Sequence, residues 1–206
     1  MSKLKGSQTE KNILTAFAGE SQARNRYGFF ASAATKEGFQ AIGKIFLETA
    51  EQEREHASRL FKLLEGGELE ITASFPAGKV GTTLENLQAA AFGENEENTV
   101  MYPKFAAIAA SEGLDAIAET FKHIGYAERY HESRYRALID AIEKGTLFKQ
   151  PSAVMWRCTN CGNWHIGTTA PTVCAACLHP QGFFISEGTI SRCDTSEGFC
   201  DYTANM

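Results

Sequence analysis

No cysteine occurs in the first 157 residues, so no disulfide can brace that part of the chain. No stretch approaches the roughly 20 apolar residues that a membrane-spanning helix needs. The opening Met1–Gly6 runs into polar residues without the apolar core of a signal peptide, and the expected address is the cytoplasm. Positive charge is also scarce. The net charge is −5 and no basic stripe is visible, which argues against a nucleic-acid partner. What remains is ordinary globular composition, 43% hydrophobic and 22% charged, over 206 residues. That is enough for one core and a small appended module.

The six cysteines that do occur all fall between Cys158 and Cys200. In a cytoplasmic chain such a cluster points to metal or redox chemistry before structural disulfides. Gln150-Pro151-Ser152 reads as a linker. The expected organisation is a helical unit over 1–150, a cysteine module over 151–185, and a tail over 186–206.

The helical unit divides into four. Ser7-Gln-Thr-Glu10 is a capping-box start, and the helical pattern runs to about Glu37. A second helix spans about Phe39 to Glu65 and stops at Gly66-Gly67. A connection carrying Pro76, Gly78 and Gly81 leads to a second capping box, Thr82-Thr-Leu-Glu85. The third helix runs to about Glu112, and the fourth ends at Lys144 before Gly145. Two hairpins joined by one long crossover predict an all-α, ferritin-like four-helix bundle.

The hairpins repeat each other. Lys36-Glu-Gly-Phe-Gln-Ala-Ile42 aligns with Ser111-Glu-Gly-Leu-Asp-Ala-Ile117 at an offset of 75, which Phe46/Phe121, Glu53/Glu128, His56/His131 and Tyr27/Tyr102 share. Glu20 and Glu94 differ by 74, so the second repeat holds one extra residue between Glu94 and Tyr102. A helix can absorb such a residue as a π-bulge, which would aim Glu97 at the bundle axis. A difference in helix rotation or tilt would also accommodate it.

Acidic residues lie on the apolar faces. Ile42, Phe46, Thr49, Glu53, His56, Leu60 and Leu63 follow helical spacing, as do Ile117, Phe121, Ile124, Glu128, His131, Tyr135 and Leu138. Glu20 and Glu94 share the stripes of their own helices, whereas Glu51 and Glu55 fall outside. Buried carboxylates need protonation, pairing or a metal. One Glu from each of two helices and a Glu-x-x-His from each of the others is the ligand pattern of a dimetal bundle. A polar core of satisfied Glu–His pairs is the alternative.

Cys158-x-x-Cys161 and Cys174-x-x-Cys177 form two knuckles suited to a tetrahedral Zn²⁺ or a single iron. Their setting, Trp156-Arg-Cys-Thr-Asn-Cys-Gly-Asn-Trp-His and Cys-Ala-Ala-Cys-Leu-His-Pro-Gln181, closely resembles the rubredoxin-like domain of rubrerythrins. Gly93-Glu94-x-x-Glu97, Met101-Tyr102-Pro103 and the two Glu-x-x-His motifs resemble the same family, so the likeness covers roughly residues 7–185.

The resemblance implies a non-haem peroxidase that reduces hydrogen peroxide to water. It implies a di-iron centre ligated by Glu20, Glu53, His56, Glu94, Glu97, Glu128 and His131. It also implies a rubredoxin-type Fe(Cys)4 site at Cys158, Cys161, Cys174 and Cys177, which relays electrons from a rubredoxin or an NAD(P)H-dependent reductase. Homodimers or higher homo-oligomers are expected, in which the thiolate iron of one subunit lies near the di-iron site of another. Tyr27 and Tyr102 are candidates for hydrogen bonds to ligand carboxylates, or plain core aromatics. An iron-oxidising or iron-storing protein and a non-catalytic zinc scaffold are the competing functions. Departures from the family are Ala175, Asn163, and Glu96 and Asn98 around Glu97. Cys193 and Cys200 lie in a tail with no recognised counterpart, either a polar extension or the site of a regulatory disulfide or an intersubunit contact.

Overall fold

The computed structural model of the chain describes residues 3–186 together with Gly188. Cys193 and Cys200 lie outside the described residues. Four bundle helices are formed by α1 (Gln8–Lys36), α2 (Gln40–Phe61), a third helix built from α3 (Thr83–Glu96), a π-turn (Glu97–Met101) and α4 (Tyr102–Ser111), and α5 (Asp115–Glu143). Strands β1 (Lys149–Cys158), β2 (Trp164–Thr169) and β3 (Phe184–Ser186) form an antiparallel sheet in the order β2-β1-β3. No helix among the described residues is long and apolar enough to cross a membrane.

The repeat is built into the ends of the helices. Gly38 and Gly113 occupy left-handed backbone at φ +90° and +71°, conformations that cost a Cβ-bearing residue. Each closes a Schellman turn: Phe39 N donates to Ala34 O at 2.8 Å, and Leu114 N donates to Ala109 O at 2.8 Å. The residue before each glycine crosses to the other hairpin. The Glu112 carboxylate accepts the Gln8 and Thr9 amides at 3.0 and 2.9 Å, and Glu37 accepts the Thr83 amide at 3.0 Å. Each hairpin thus caps a helix of the other.

Three local expectations are corrected. The Ser7 hydroxyl accepts the Glu10 amide, but the Glu10 carboxylate reaches back to the Gly6 amide rather than to that of Ser7. Helix α2 ends at Phe61, four residues before Glu65. There Leu63 N and Leu64 N bond three residues back, to Leu60 O and Phe61 O, so the chain tightens before it reaches the glycines. Gln150-Pro151-Ser152 is not a free linker but lies inside β1. The register passes from Lys149↔Thr169 to Val154↔Gly167, so these residues form an irregularity within the strand.

The sheet packs on the end of the bundle at the α1–α2 turn. Ile185 of β3 joins the core of Ala34, Ile42 and Ile45, and Phe39 stacks on Phe148 with 6.3 Å between ring centroids. Lys44 donates to the Thr159 carbonyl within the first knuckle. Gly182 passes so close to Gly38 that a Cβ there would overlap the Gly38 carbonyl oxygen.

Candidate metal centres

Midway along the bundle, two groups of ligand atoms converge. Glu20, Glu53, His56 and Glu128 form one; Glu53, Glu94, Glu128 and His131 form the other. His56 Nδ1 lies 3.0 Å from Glu53 Oε2, 3.0 Å from Glu128 Oε1 and 3.7 Å from Glu20 Oε2. His131 Nδ1 lies 2.8 Å from Glu128 Oε2, 3.1 Å from Glu53 Oε1 and 3.5 Å from Glu94 Oε2. Glu53 and Glu128 therefore contribute one oxygen to each group, the placement of bridging carboxylates. The four glutamates are buried, whereas the Glu51 and Glu55 side chains are 60% and 64% exposed and pair with Arg54.

Hydrogen bonding accounts for only part of these approaches: His56 Nδ1 pairs with Glu53 Oε2 at 3.0 Å. Glu20 Oε2, Glu53 Oε1, Glu94 Oε2, both Glu128 oxygens and His131 Nδ1 are buried without a hydrogen-bond partner. One imidazole nitrogen cannot donate to three oxygens, and native cores rarely leave so many buried polar atoms unmatched. Oxygen and nitrogen atoms aimed at two common points, most of them without a hydrogen-bond partner, fit a pair of cations. A core of satisfied Glu–His pairs does not describe this arrangement.

The electrostatics agree. Burial, reinforced by Glu53, lifts the Glu20 carboxyl from 4.5 to about 7. Burial and the charge of Glu53 push Glu94 well above its ordinary value. Burial opposes charge on His56, yet the carboxylates of Glu128, Glu20 and Glu53 hold its pKa at about 12. Glu53 alone is lowered: burial and Glu128 work against its charge, but hydrogen bonds from His131 and His56 outweigh them. The cluster thus retains protons that cations would displace.

Surrounding side chains orient the ligands. Tyr27 donates to Glu94 Oε1 and Tyr102 donates to Glu20 Oε1, each tyrosine serving the glutamate of the other repeat. Burial pushes both phenols well above their ordinary pKa, which keeps them protonated donors. His131 Nε2 meets Gln52 Oε1 at 2.9 Å, a contact that keeps the proton on Nε2 and frees Nδ1 for a metal. Gln52 was not singled out from sequence, because it precedes the stripe residue Glu53 and only the α2–α5 packing brings it to His131.

The extra residue of the second repeat is a π-turn, and the Tyr102 amide donates five residues back to Glu97 O. Glu97 belongs to neither group of converging ligand atoms. Burial and the carboxylates of Glu20, Glu94, Glu128 and Glu53 push its pKa well up. It also borders a cleft of about 710 Å³ lined by Phe29, Phe75, Phe92 and Val100. On the opposite side a 420 Å³ groove beside Arg59, Glu119 and His123 reaches His56, whose side chain is 16% exposed.

In the sheet module the four knuckle cysteines gather their sulfurs. Cys158 Sγ and Cys177 Sγ are 3.8 Å apart, and Cys161 Sγ and Cys174 Sγ 3.7 Å. A tetrahedron with metal–sulfur bonds of about 2.3 Å has edges of about 3.8 Å, so the sulfurs already have the spacing of a four-thiolate site. The His179 backbone amide helps hold Cys177 down to about 6, ready to act as thiolate. Asn163 Nδ2 approaches Cys174 Sγ at 3.6 Å.

A ferritin-like bundle with a paired Glu/His cluster, followed by a tetrathiolate sheet module, defines a class of two-site non-haem iron proteins. Comparison with known proteins gives the family. Residues 11–139 match the rubrerythrin family and residues 156–185 the rubrerythrin rubredoxin-like domain. The chain is 57% identical over 184 residues to rubrerythrin of Nitratidesulfovibrio vulgaris, covering 89% of this chain and 96% of the relative. It is 56% identical over 181 residues to that of Porphyromonas gingivalis, covering 88% and 90%. Fully reduced, all-ferrous nigerythrin superposes with a TM-score of 0.60 at 28% identity, over 90% of this chain and 94% of that one. Dithionite-reduced symerythrin from Cyanophora paradoxa gives 0.59 at 25% identity, over 66% and 86%. The chain belongs to the rubrerythrin family, and its Glu/His and four-cysteine clusters match the family's di-iron and rubredoxin-like sites.

Proposed function

We propose that this protein is a cytoplasmic non-haem peroxidase that reduces hydrogen peroxide to two waters. Glu20, Glu53, His56, Glu94, Glu97, Glu128 and His131 would hold two irons, and Cys158, Cys161, Cys174 and Cys177 a third. We take residues 1–150 as the catalytic bundle and 151–185 as the electron-relay module. The observation that carries the reading is a cluster of unpartnered buried carboxylate and imidazole atoms in the same chain as a preformed tetrathiolate cage. An iron-storing protein has no need of a covalently attached electron relay.

A bound iron pair would supply the two electrons needed to cleave the O–O bond, with two protons required to complete two waters. The residues do the remainder. Glu53 and Glu128, each with one oxygen beside each histidine, would serve both metal positions. Tyr27 and Tyr102 hold Glu94 and Glu20 in place by hydrogen bonds that survive at any ordinary pH. His56 opens towards the groove beside Arg59 and His123, which offers a path for peroxide and for protons from solvent.

Within one chain the first knuckle rests on Lys44, nine residues along α2 from Glu53, a rise of roughly 14 Å. Delivery from the module of a second subunit, in a homodimer or larger homo-oligomer, is the arrangement we propose. A rubredoxin or an NAD(P)H-linked reductase would feed the module.

The test is peroxide consumption by iron-loaded protein with NADH, a reductase and a rubredoxin-type donor. Cys158→Ser is expected to abolish donor-linked turnover while the prereduced bundle still completes one turnover. Full steady-state activity in that variant would refute the relay.

A further inference from the structure

The π-turn is held by a polar clamp that the dimetal ligands do not explain. Asn98 Nδ2 donates to the Glu94 carbonyl at 2.9 Å, and the Thr99 hydroxyl donates to the Asn95 carbonyl at 2.6 Å. Those carbonyls lie where the backbone ladder passes from four-residue to five-residue spacing, so side chains supply donors where the helix changes its winding. The same Asn98 amide donates to Glu132 Oε2 at 2.7 Å, and Asn95 Nδ2 donates to both Glu132 oxygens at 3.1 and 3.2 Å. Arg136 Nε completes the set with 2.6 Å to Glu132 Oε1. Glu132 is 9% exposed and follows the ligand His131 directly in α5. Its carboxylate therefore faces sideways onto the π-turn while Glu128 and His131 face the bundle axis.

We propose that Asn98 and Glu132 are positioning residues that lock the π-turn in its wound form and so fix where the Glu97 carboxylate points. This rests on the reading of Glu97 as a metal ligand, and extends it. A helix without the extra winding would rotate every later residue by about 100° relative to Glu94, so Glu97 and Tyr102 could not both keep their faces. Glu97 has no equivalent in the first repeat, where Ala23 occupies the matching place. The clamp therefore makes the surroundings of one metal unlike those of the other, and α5 enforces the difference through a residue adjacent to a ligand.

The experiment uses full-length protein with iron retained in the thiolate site and the bundle site stripped by chelation. Cobalt(II) is titrated into it, and hydrogen exchange of the 98–102 amides is followed before metal is added. Glu97→Ala is expected to weaken one of the two cobalt ions. Asn98→Leu should weaken the same ion about tenfold, the usual scale for outer contacts to a metal site, and speed exchange through the π-turn. In the Glu97→Ala background Asn98→Leu should weaken that ion no further, because the residue it positions is gone. Glu132→Leu, which removes the clamp from the α5 side, should reproduce Asn98→Leu, while Glu132→Gln, which keeps an acceptor for Asn98, should stay near wild type. Unchanged cobalt affinity in both Asn98→Leu and Glu132→Leu, with Glu97→Ala weakened, overturns the positioning role alone. So does an undiminished effect of Asn98→Leu in the Glu97→Ala background. Unchanged affinity in Glu97→Ala itself overturns the ligand assignment and the positioning role together.

Discussion

Single residues separate chemistry from surface in this chain. Glu53 and Glu128 are buried at the junction of both ligand groups, whereas Glu51 and Glu55 stand in water beside Arg54. Removing either bridging candidate deletes an oxygen from both metal positions. Glu53→Ala and Glu128→Ala are therefore expected to lose both bundle metals, while Glu51→Ala and Glu55→Ala keep them, since exposed ion pairs contribute little. Metal analysis of purified variants decides this; equal metal content in all four would sink the face assignment. Asn163 offers a second test. Its amide approaches Cys174 Sγ, and hydrogen bonds to thiolate ligands favour the reduced, more negative site. Asn163→Leu is expected to lower the reduction potential of the tetrathiolate iron, read by spectroelectrochemistry. A potential unchanged or raised would show that this contact does not tune the iron.

At the scale of elements, what sequence revealed and what it concealed follow a physical rule. Four helices, the repeat, and the acidic stripe were readable because a buried helical face imposes a period of 3.6 residues on the sequence itself. The π-turn was readable for a similar reason: a change of offset from 75 to 74 between matched residues has to be absorbed somewhere in the backbone. Gln52, Asn95 and Glu132 were not readable, because their partners lie on other helices and no local spacing announces them. The end of α2 escaped because Gly66-Gly67 mark where the chain turns left-handed, not where the helix unwinds. The crossed caps belong to the same hidden class. Glu37 and Glu112 each satisfy amides at the start of a helix in the opposite hairpin, and Glu112 is held below its usual carboxylate range chiefly by Thr9. Loss of such a cap costs about 1 kcal/mol. Glu112→Ala is expected to destabilise the bundle by about that much in chemical denaturation, with the metal sites intact. An unchanged midpoint would mean that water caps α1 equally well.

For the molecule as a whole, the dimetal cluster sets how stability responds to pH. Without metal, the folded chain holds protons that the unfolded chain would release. Glu20 rises from 4.5 to about 7, and its contribution is full below 4.5 and lost as pH climbs through 7. His56 rises from 6.5 to about 12, and its contribution fades over that higher interval, in the same direction. Glu53, lowered by its histidine partners, acts oppositely, but only below its ordinary 4.5. The stripped bundle should therefore lose thermal stability from about pH 4.5, through the Glu20 interval, and on through the His56 interval towards about pH 12. Metal reverses the sign. Coordination needs ionised carboxylates and a free imidazole lone pair, so binding releases protons and tightens as pH rises. Melting curves followed by far-UV circular dichroism should converge for stripped and loaded protein near pH 5 and separate progressively above it. Curves that stay parallel across the range would show that the carboxylates do not hold the protons assigned to them. Proton release on metal addition, measured by calorimetry in two buffers of different ionisation enthalpy, checks the same cause independently. Were no protons released at neutral pH, the cluster would already be ionised without metal, and its unpartnered oxygens would need another explanation.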